Sequence, residues 1–195
     1  MSTTTKSAYH HGDLRAALLT SAMEMLEGGE TFSLRAVARR AGVSATAPYR
    51  HFEDREALES ALAAEGLQDL KADLAAAGSV PATPADLGEL GVIYVRFALR
   101  RPALFKLMFG QECDPENDQR VIAAAELHDM LAFAMNHVFP GHDGEALAAA
   151  GWALAHGLAF LHLDGKLKAT SQEEVDARVR AAFAAILSIQ TSPAS

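Results

Sequence analysis

Residues 33–52 read SLRAVARRAGVSATAPYRHF, and this stretch decides how the rest of the chain is read. Ser33 is a helix N-cap residue, its hydroxyl suited to a free backbone N–H at a helix start. Leu34, Val37 and Ala38 then recur at helical spacing and give a short helix, Leu34 to Arg40, one apolar face. Ala41-Gly42-Val43 follows as a turn, because Gly42 takes a left-handed backbone conformation at little cost. Ser44 is placed to cap a third short helix running to about His51. Two short helices joined by a Gly turn, with Leu34, Val37, Ala38, Ala41 and Val43 locking the pair, have the form of a helix-turn-helix. The second helix of such a unit is free to enter the major groove of DNA. At its start the small residues Ser44, Ala45, Thr46 and Ala47 permit close approach to base edges. Tyr49, Arg50 and His51 then reach phosphates and fix register.

The charge distribution agrees, although the net charge of −8 argues against nucleic acid when taken as one number. Residues 1–55 carry seven Lys or Arg against six acids, and residues 56–195 carry ten against nineteen. Residues 31–52 hold four arginines, one histidine and no acid. A short basic segment on an acidic body is the pattern expected when one element meets phosphate and the remainder must not.

Upstream, Asp13 caps a first helix whose Leu14, Leu18, Ala22 and Met25 share a face and which Gly28-Gly29 stops. Downstream, Asp54 caps a longer fourth helix, Arg55 to about Ala77. Two prolines in the run Gly78 to Pro84 cannot sit in a helix interior and mark a loop. Beyond it, helical periodicity covers 85–99, 101–110, 118–138, 143–165 and 172–190, with a polar loop over 111–117. Thr170 or Ser171 ahead of Glu173-Glu174 gives the last helix a capping-type start. About nine helices and no strand pattern make the fold all-α. A helix-turn-helix domain over 1–55 is expected, with a helical domain over 56–195 and the helix at about 55–77 joining them.

Several classes of function are disfavoured. The single Cys113 cannot form an internal disulfide, which fits a reducing compartment. The N-terminal run lacks the apolar core of a signal peptide, and no apolar run approaches the ~20 residues of a membrane span. A cytoplasmic protein with no membrane partner is therefore expected. The eight histidines include His10-His11, His128, His137, His142, His156 and His162 but form no metal-ligand spacing. No Gly-rich phosphate loop and no nucleophile beside a base is evident, so neither cofactor, metal nor catalysis is expected.

The run SLRAVARRAGVSATAPYRHFEDREAL, residues 33–58, resembles the N-terminal domain of the TetR family of regulators. It carries an Ala-Gly-Val-Ser turn, a Tyr-x-His-Phe ending and a basic residue near the start of the fourth helix. The resemblance implies phosphate contacts from Ser33, Arg35, Tyr49, His51 and Arg55. It implies base or groove contacts from Ser44, Ala45, Thr46, Ala47 and Arg50. Pro48 departs from the family, where many members carry Leu or Ile, and is expected to shorten or stiffen the recognition helix. Phe52 reads as core, whereas Arg39 and Arg40 fit either a DNA-facing or a solvated role.

The same resemblance implies that the C-terminal helices form a domain that dimerises and holds a small-molecule pocket. It further implies a repressor that binds a palindromic operator as a homodimer and is released by a small apolar effector. Candidate dimer residues are Leu147, Leu154, Leu158 and Leu161 on one helix and Val175, Val179, Phe183, Ile186 and Ile189 on the next, each helix being very apolar on one face. Gly151-Trp-Ala-Leu-Ala-His-Gly157 resembles a Trp-x-x-x-His-Gly signature of one TetR subgroup. Trp152 and His156 lie four apart and share a helix face. Together with Tyr94, Phe97, Phe105, Met108, Phe109, Met130, Phe133 and Phe160 they suit an adaptable apolar pocket, and equally an ordinary core. The competing class is a helical interaction module without specific DNA binding. Its packing would not need Arg35, Arg39, Arg40 and Arg50.

Overall fold

The computed structural model describes residues 14–31, 33–110 and 119–188, and all regular structure among them is helical. In order these are α1 (Leu14–Glu27), α2 (Leu34–Arg40), a 3-10 turn (Pro48–Arg50), α3 (Arg55–Ala75), α4 (Pro84–Arg100), α5 (Pro102–Phe109), α6 (Gln119–Val138), α7 (Gly144–Leu163) and α8 (Gln172–Ser188). Asp13, His10-His11, the loop 111–117 with Cys113, and Ile189 lie outside the described residues.

Helix starts follow side-chain capping chemistry. Ser33 Oγ accepts the Ala36 N–H, and Asp54 Oδ1 accepts the Ala57 N–H at 2.8 Å. Thr83 and Asp86 form a reciprocal capping box at α4, directly after the proline-rich loop. At α8, Ser171 accepts the Glu174 N–H while Glu174 accepts the Thr170 N–H at 2.8 Å. Gly42 has φ +72°, the left-handed value that the turn after α2 requires.

Two cores form. Leu18, Leu19, Ala22 and Met25 of α1 pack with Leu34 and Val37 of α2, with Phe52, and with Leu58, Ala61 and Leu62 of α3. From Ala63 onward α3 serves the second core, where Leu67, Leu70 and Leu74 meet α4, α5 and α6. One 21-residue helix thus carries both cores, with the hand-over between Leu62 and Ala63. Within the second body α4 is central, packing against α8 and α7. Gly91 permits the α4–α8 contact, since a Cβ there would overlap the Phe183 ring.

Two expectations need correction. The third helix expected from Ser44 to about His51 is instead a turn followed by the three-residue 3-10 segment Pro48–Arg50. An α-helix there would need the amide of residue 48 to donate to the Ser44 carbonyl. Proline has no N–H, and its ring crowds that carbonyl. The bonds that form include three-residue steps, Ala47 N–H to Ser44 O at 3.0 Å and His51 N–H to Pro48 O at 2.9 Å. Ser44 does not cap; its hydroxyl lies 3.3 Å from that of Thr46. Secondly, α7 is 20 residues long and apolar enough by length and composition to span a membrane, contrary to the reading of the runs. Its apolarity comes from five leucines interspersed with seven alanines, and only 22% of the apolar window is buried within the chain.

Candidate nucleic-acid interface and C-terminal cavity

Exposed arginines stand on α2 (Arg35, Arg39) and on the 3-10 turn (Arg50). Phe52 is 3% exposed and Pro48 is buried, so the turn is pinned from beneath while Tyr49, Arg50 and His51 project outward. The Arg15 guanidinium lies 5.5 Å over the Phe52 ring and helps seat it. Ser33, Arg35, Ser44, Ala45 and Thr46 are exposed, with Ala47 half-buried. Arg35, Arg39 and Arg50 are exposed and held in no ion pair among the described residues, so their charge is available to an outside anion. Arg40 differs: it pairs with Glu30 at 2.7 Å and Glu24 at 3.3 Å, clamping α2 to the end of α1. Arg55 is also engaged, 2.7 Å from the buried Glu59 one turn along α3.

In the second body Tyr94, Phe105, Phe109, Trp152, His156 and Phe160 come together. The ring centroids of Phe109 and Phe160 stand 4.7 and 4.8 Å from that of His156. Trp152 Nε1 donates to Tyr94 Oη at 3.1 Å, and Tyr94 Oη is 2.8 Å from His156 Nδ1. The tryptophan can only donate, so the tyrosine proton is left for the imidazole and Nδ1 accepts it. Burial supports both assignments, holding the Tyr94 hydroxyl protonated well above its usual range and keeping His156 neutral by lowering its pKa. Beside Tyr94 and Trp152 is a cavity of about 30 Å3 walled by Leu87, Gly91, Met135, Ala155 and Phe183.

Residues 87–186 match the family model described as "Tetracyclin repressor-like, C-terminal domain", and residues 18–62 match "Bacterial regulatory proteins, tetR family". The chain belongs to the TetR family. It is a DNA-binding transcriptional regulator, with the helix-turn-helix of residues 33–52 inside the N-terminal match. A Rhodococcus sp. RHA1 protein of unknown function is 33% identical over 91% of this chain and 97% of that one, with a TM-score of 0.77. A TetR/AcrR regulator from Thermobifida fusca is 18% identical over 88% and 96%, TM-score 0.67. A TetR-family regulator from Thermus thermophilus is 20% identical over 88% and 97%, TM-score 0.60. The last two share the fold. No curated protein sequence matches the chain.

The TetR fold separates several residues that sequence pattern grouped together. Phe97 is fully buried against the Arg100 and Arg101 guanidinium groups, and Met108 packs on Gly66 of α3, so both are core. Met130 and Phe133 line a separate surface groove with Val80 and Pro81. Of the residues assigned to a dimer face, Val175, Val179 and Phe183 are 6%, 0% and 4% exposed within one chain, spent on intramolecular packing in a second body where α8 lies along α4. Leu158 is also buried, whereas Leu147 and Leu154 are half-buried and Leu161 and Ile186 are exposed. Unforeseen were the cavity walls Leu87, Leu90, Gly91 and Met135. Glycine inside the apolar run of α4 was the available signal, since it marks close approach.

Proposed function

We propose that two copies of the chain pair through α7 and α8 and repress transcription by holding two half-sites of a palindromic operator, from which a small apolar effector releases them. The carrying observation is the solvent face of α7. Ala149, Ala153, Gly157 and Leu161, spaced by four along one ridge, are all exposed on a helix whose composition suits burial. On α8, Ala177, Ala181, Ala185 and Ile186 are likewise exposed. Small residues let helix axes approach closely, and a symmetric pair of such ridges closes as a dimer. One helix-turn-helix meets only one half-site, so pairing raises affinity through effective concentration. In this arrangement Tyr49 and His51, with Arg35 and Ser33, contact phosphates, while Ser44, Ala45, Thr46, Ala47 and Arg50 face the groove. Effector release requires unequal affinity for the DNA-competent and DNA-incompetent states.

Sedimentation combined with footprinting on the gene's upstream region tests this. A dimer protecting two half-sites about 34–36 Å apart is expected. Ala153→Arg, which places a charge on the ridge, is expected to give monomers that bind DNA weakly. A monomer that protects both half-sites equally well contradicts the proposal.

A further inference from the structure

We propose that the Ser44 and Thr46 hydroxyls act as one unit that reads a single adenine in the major groove of each half-site, which makes the pair a specificity determinant of the recognition element. This deepens, and rests on, the reading that Ser44 to Ala47 face the groove.

The two hydroxyl oxygens stand 3.3 Å apart, and both residues are exposed. They are held there from both sides. Val43 packs on the first core, and its N–H donates to the Ala38 carbonyl at 3.0 Å. Pro48 is buried, and the Ala47 N–H donates to the Ser44 carbonyl at 3.0 Å across the turn. Residues 44–46 therefore project as a short loop tethered at each end. Side chains this short read a base only when the backbone comes close to it. Gly42, Ala45 and Ala47 carry at most a methyl group, so nothing between them holds the turn away from the base edges. Ser44 and Thr46 each have one heavy-atom torsion, so little rotamer freedom is lost on contact.

Chemistry selects the base. A hydroxyl has one O–H to donate and an oxygen that accepts. When one of the two donates to the other, the pair is left with one free O–H and one oxygen ready to accept, whichever of them donates. Adenine presents the matching pattern in the major groove, N7 as acceptor and N6–H as donor, on neighbouring atoms about 3 Å apart. The pair thus meets adenine as an Asn or Gln amide does, and the bond between the hydroxyls strengthens both outward ones. Guanine offers two acceptors, O6 and N7, so engaging both takes two donors and breaks the internal bond. Cytosine N4 only donates and thymine O4 only accepts, so each uses half of the pair. A phosphate oxygen likewise only accepts. Arg50 brings charge, whereas this neutral pair adds preference for a base without adding to counterion release.

The full-length protein is used to select duplexes from a random-sequence pool. Affinities for the selected duplex and its single-base-pair variants are then measured at several salt concentrations. The wild type is expected to bind at least about fivefold more weakly when one particular adenine of a half-site is replaced by any other base. Thr46→Val keeps the branched shape and removes the hydroxyl at an exposed position, so circular dichroism should be unchanged. It is expected to bring all four bases at that position within about twofold, with preferences elsewhere and the salt slope as in the wild type. Ser44→Ala should do the same, and the double variant should lose no more than either single one. Thr46→Val alone decides the question if Ser44→Ala disturbs the turn, and Thr46→Ser should keep the adenine preference. Base preferences that survive in the variants lacking a hydroxyl overturn the proposal, as does uniform weakening on every duplex, which a phosphate contact gives. So does a preference at the affected position for any base but adenine. Each of these leaves DNA binding by the element in place, whereas a wild type that enriches no duplex overturns the proposal together with the groove-facing reading on which it rests.

Discussion

Nε of Arg101 lies 2.5 Å from Oε1 of Glu27, which joins the start of α5 to the end of α1. The same guanidinium is 2.5 Å from Asp69 Oδ2 on α3, and its side chain is only 19% exposed. One arginine therefore ties the helix-turn-helix unit to the body that packs around the cavity. Arg101→Ala is expected to lower unfolding stability by about 1–2 kcal/mol, since two charge-assisted bonds of a mostly buried donor are lost. In a Glu27→Gln background the cost of Arg101→Ala should shrink, and a double-mutant cycle from urea denaturation measures the difference. Strict additivity would show that the pair does no coupling.

Pro48 is expected to be the reason the recognition element is not an α-helix. Pro48→Ala restores the amide that can donate to the Ser44 carbonyl and removes the ring that crowds it. Backbone chemical shifts of residues 44–51 should move toward α-helical values, with operator affinity changed because the element's side chains are re-aimed. Unchanged shifts would place the cause outside this residue.

Much of this was legible in the sequence because capping and turn chemistry are local. Ser33, Gly42, Asp54 and the Ser171–Glu174 start do in the structure what their types and spacing require. The recognition element was legible only in part: Pro48 pointed to a shortened helix, whereas the missing N–H leaves only a three-residue 3-10 segment. The second body was less legible for a different reason. Val179 and Phe183 are as apolar as any interface residue, and one-dimensional periodicity shows that a face is buried without showing against what. Similarly Arg39 and Arg40 are equivalent in sequence. Only the position of Glu24 and Glu30 separates the free arginine from the clamped one.

Acid should destabilise the protein through His156. Its folded-state pKa is lowered by burial from an ordinary 6.5, so between those values the unfolded chain binds a proton that the folded chain does not. Stability is therefore complete above the ordinary value and is lost as pH falls toward the lowered one. His162, lowered chiefly by burial, acts in the same direction. Thermal midpoints recorded from about pH 7.5 down to about pH 5 should fall, and His156→Gln should flatten part of that slope. An identical slope in the variant would remove His156 from the explanation.

The Tyr94 hydroxyl should contribute to fold as well as to the cavity. Tyr94→Phe leaves the buried face of His156 and the Trp152 N–H without their shared partner, at a cost of about 1–3 kcal/mol. Chemical denaturation gives the value, and Trp152 emission should shift as its N–H loses the oxygen. No change in either would mean that water replaces the hydroxyl fully.

That the exposed arginines around the 3-10 turn meet DNA phosphates and bases is tested most directly by a salt titration. Binding of the wild type, Arg50→Ala and Tyr49→Ala to the gene's upstream region is measured across a range of salt concentrations. The wild type should weaken steeply and linearly in log–log form as salt rises. Each variant should bind at least about tenfold more weakly. Salt-independent binding, or wild-type affinity in both variants, would contradict the assignment of this face to DNA.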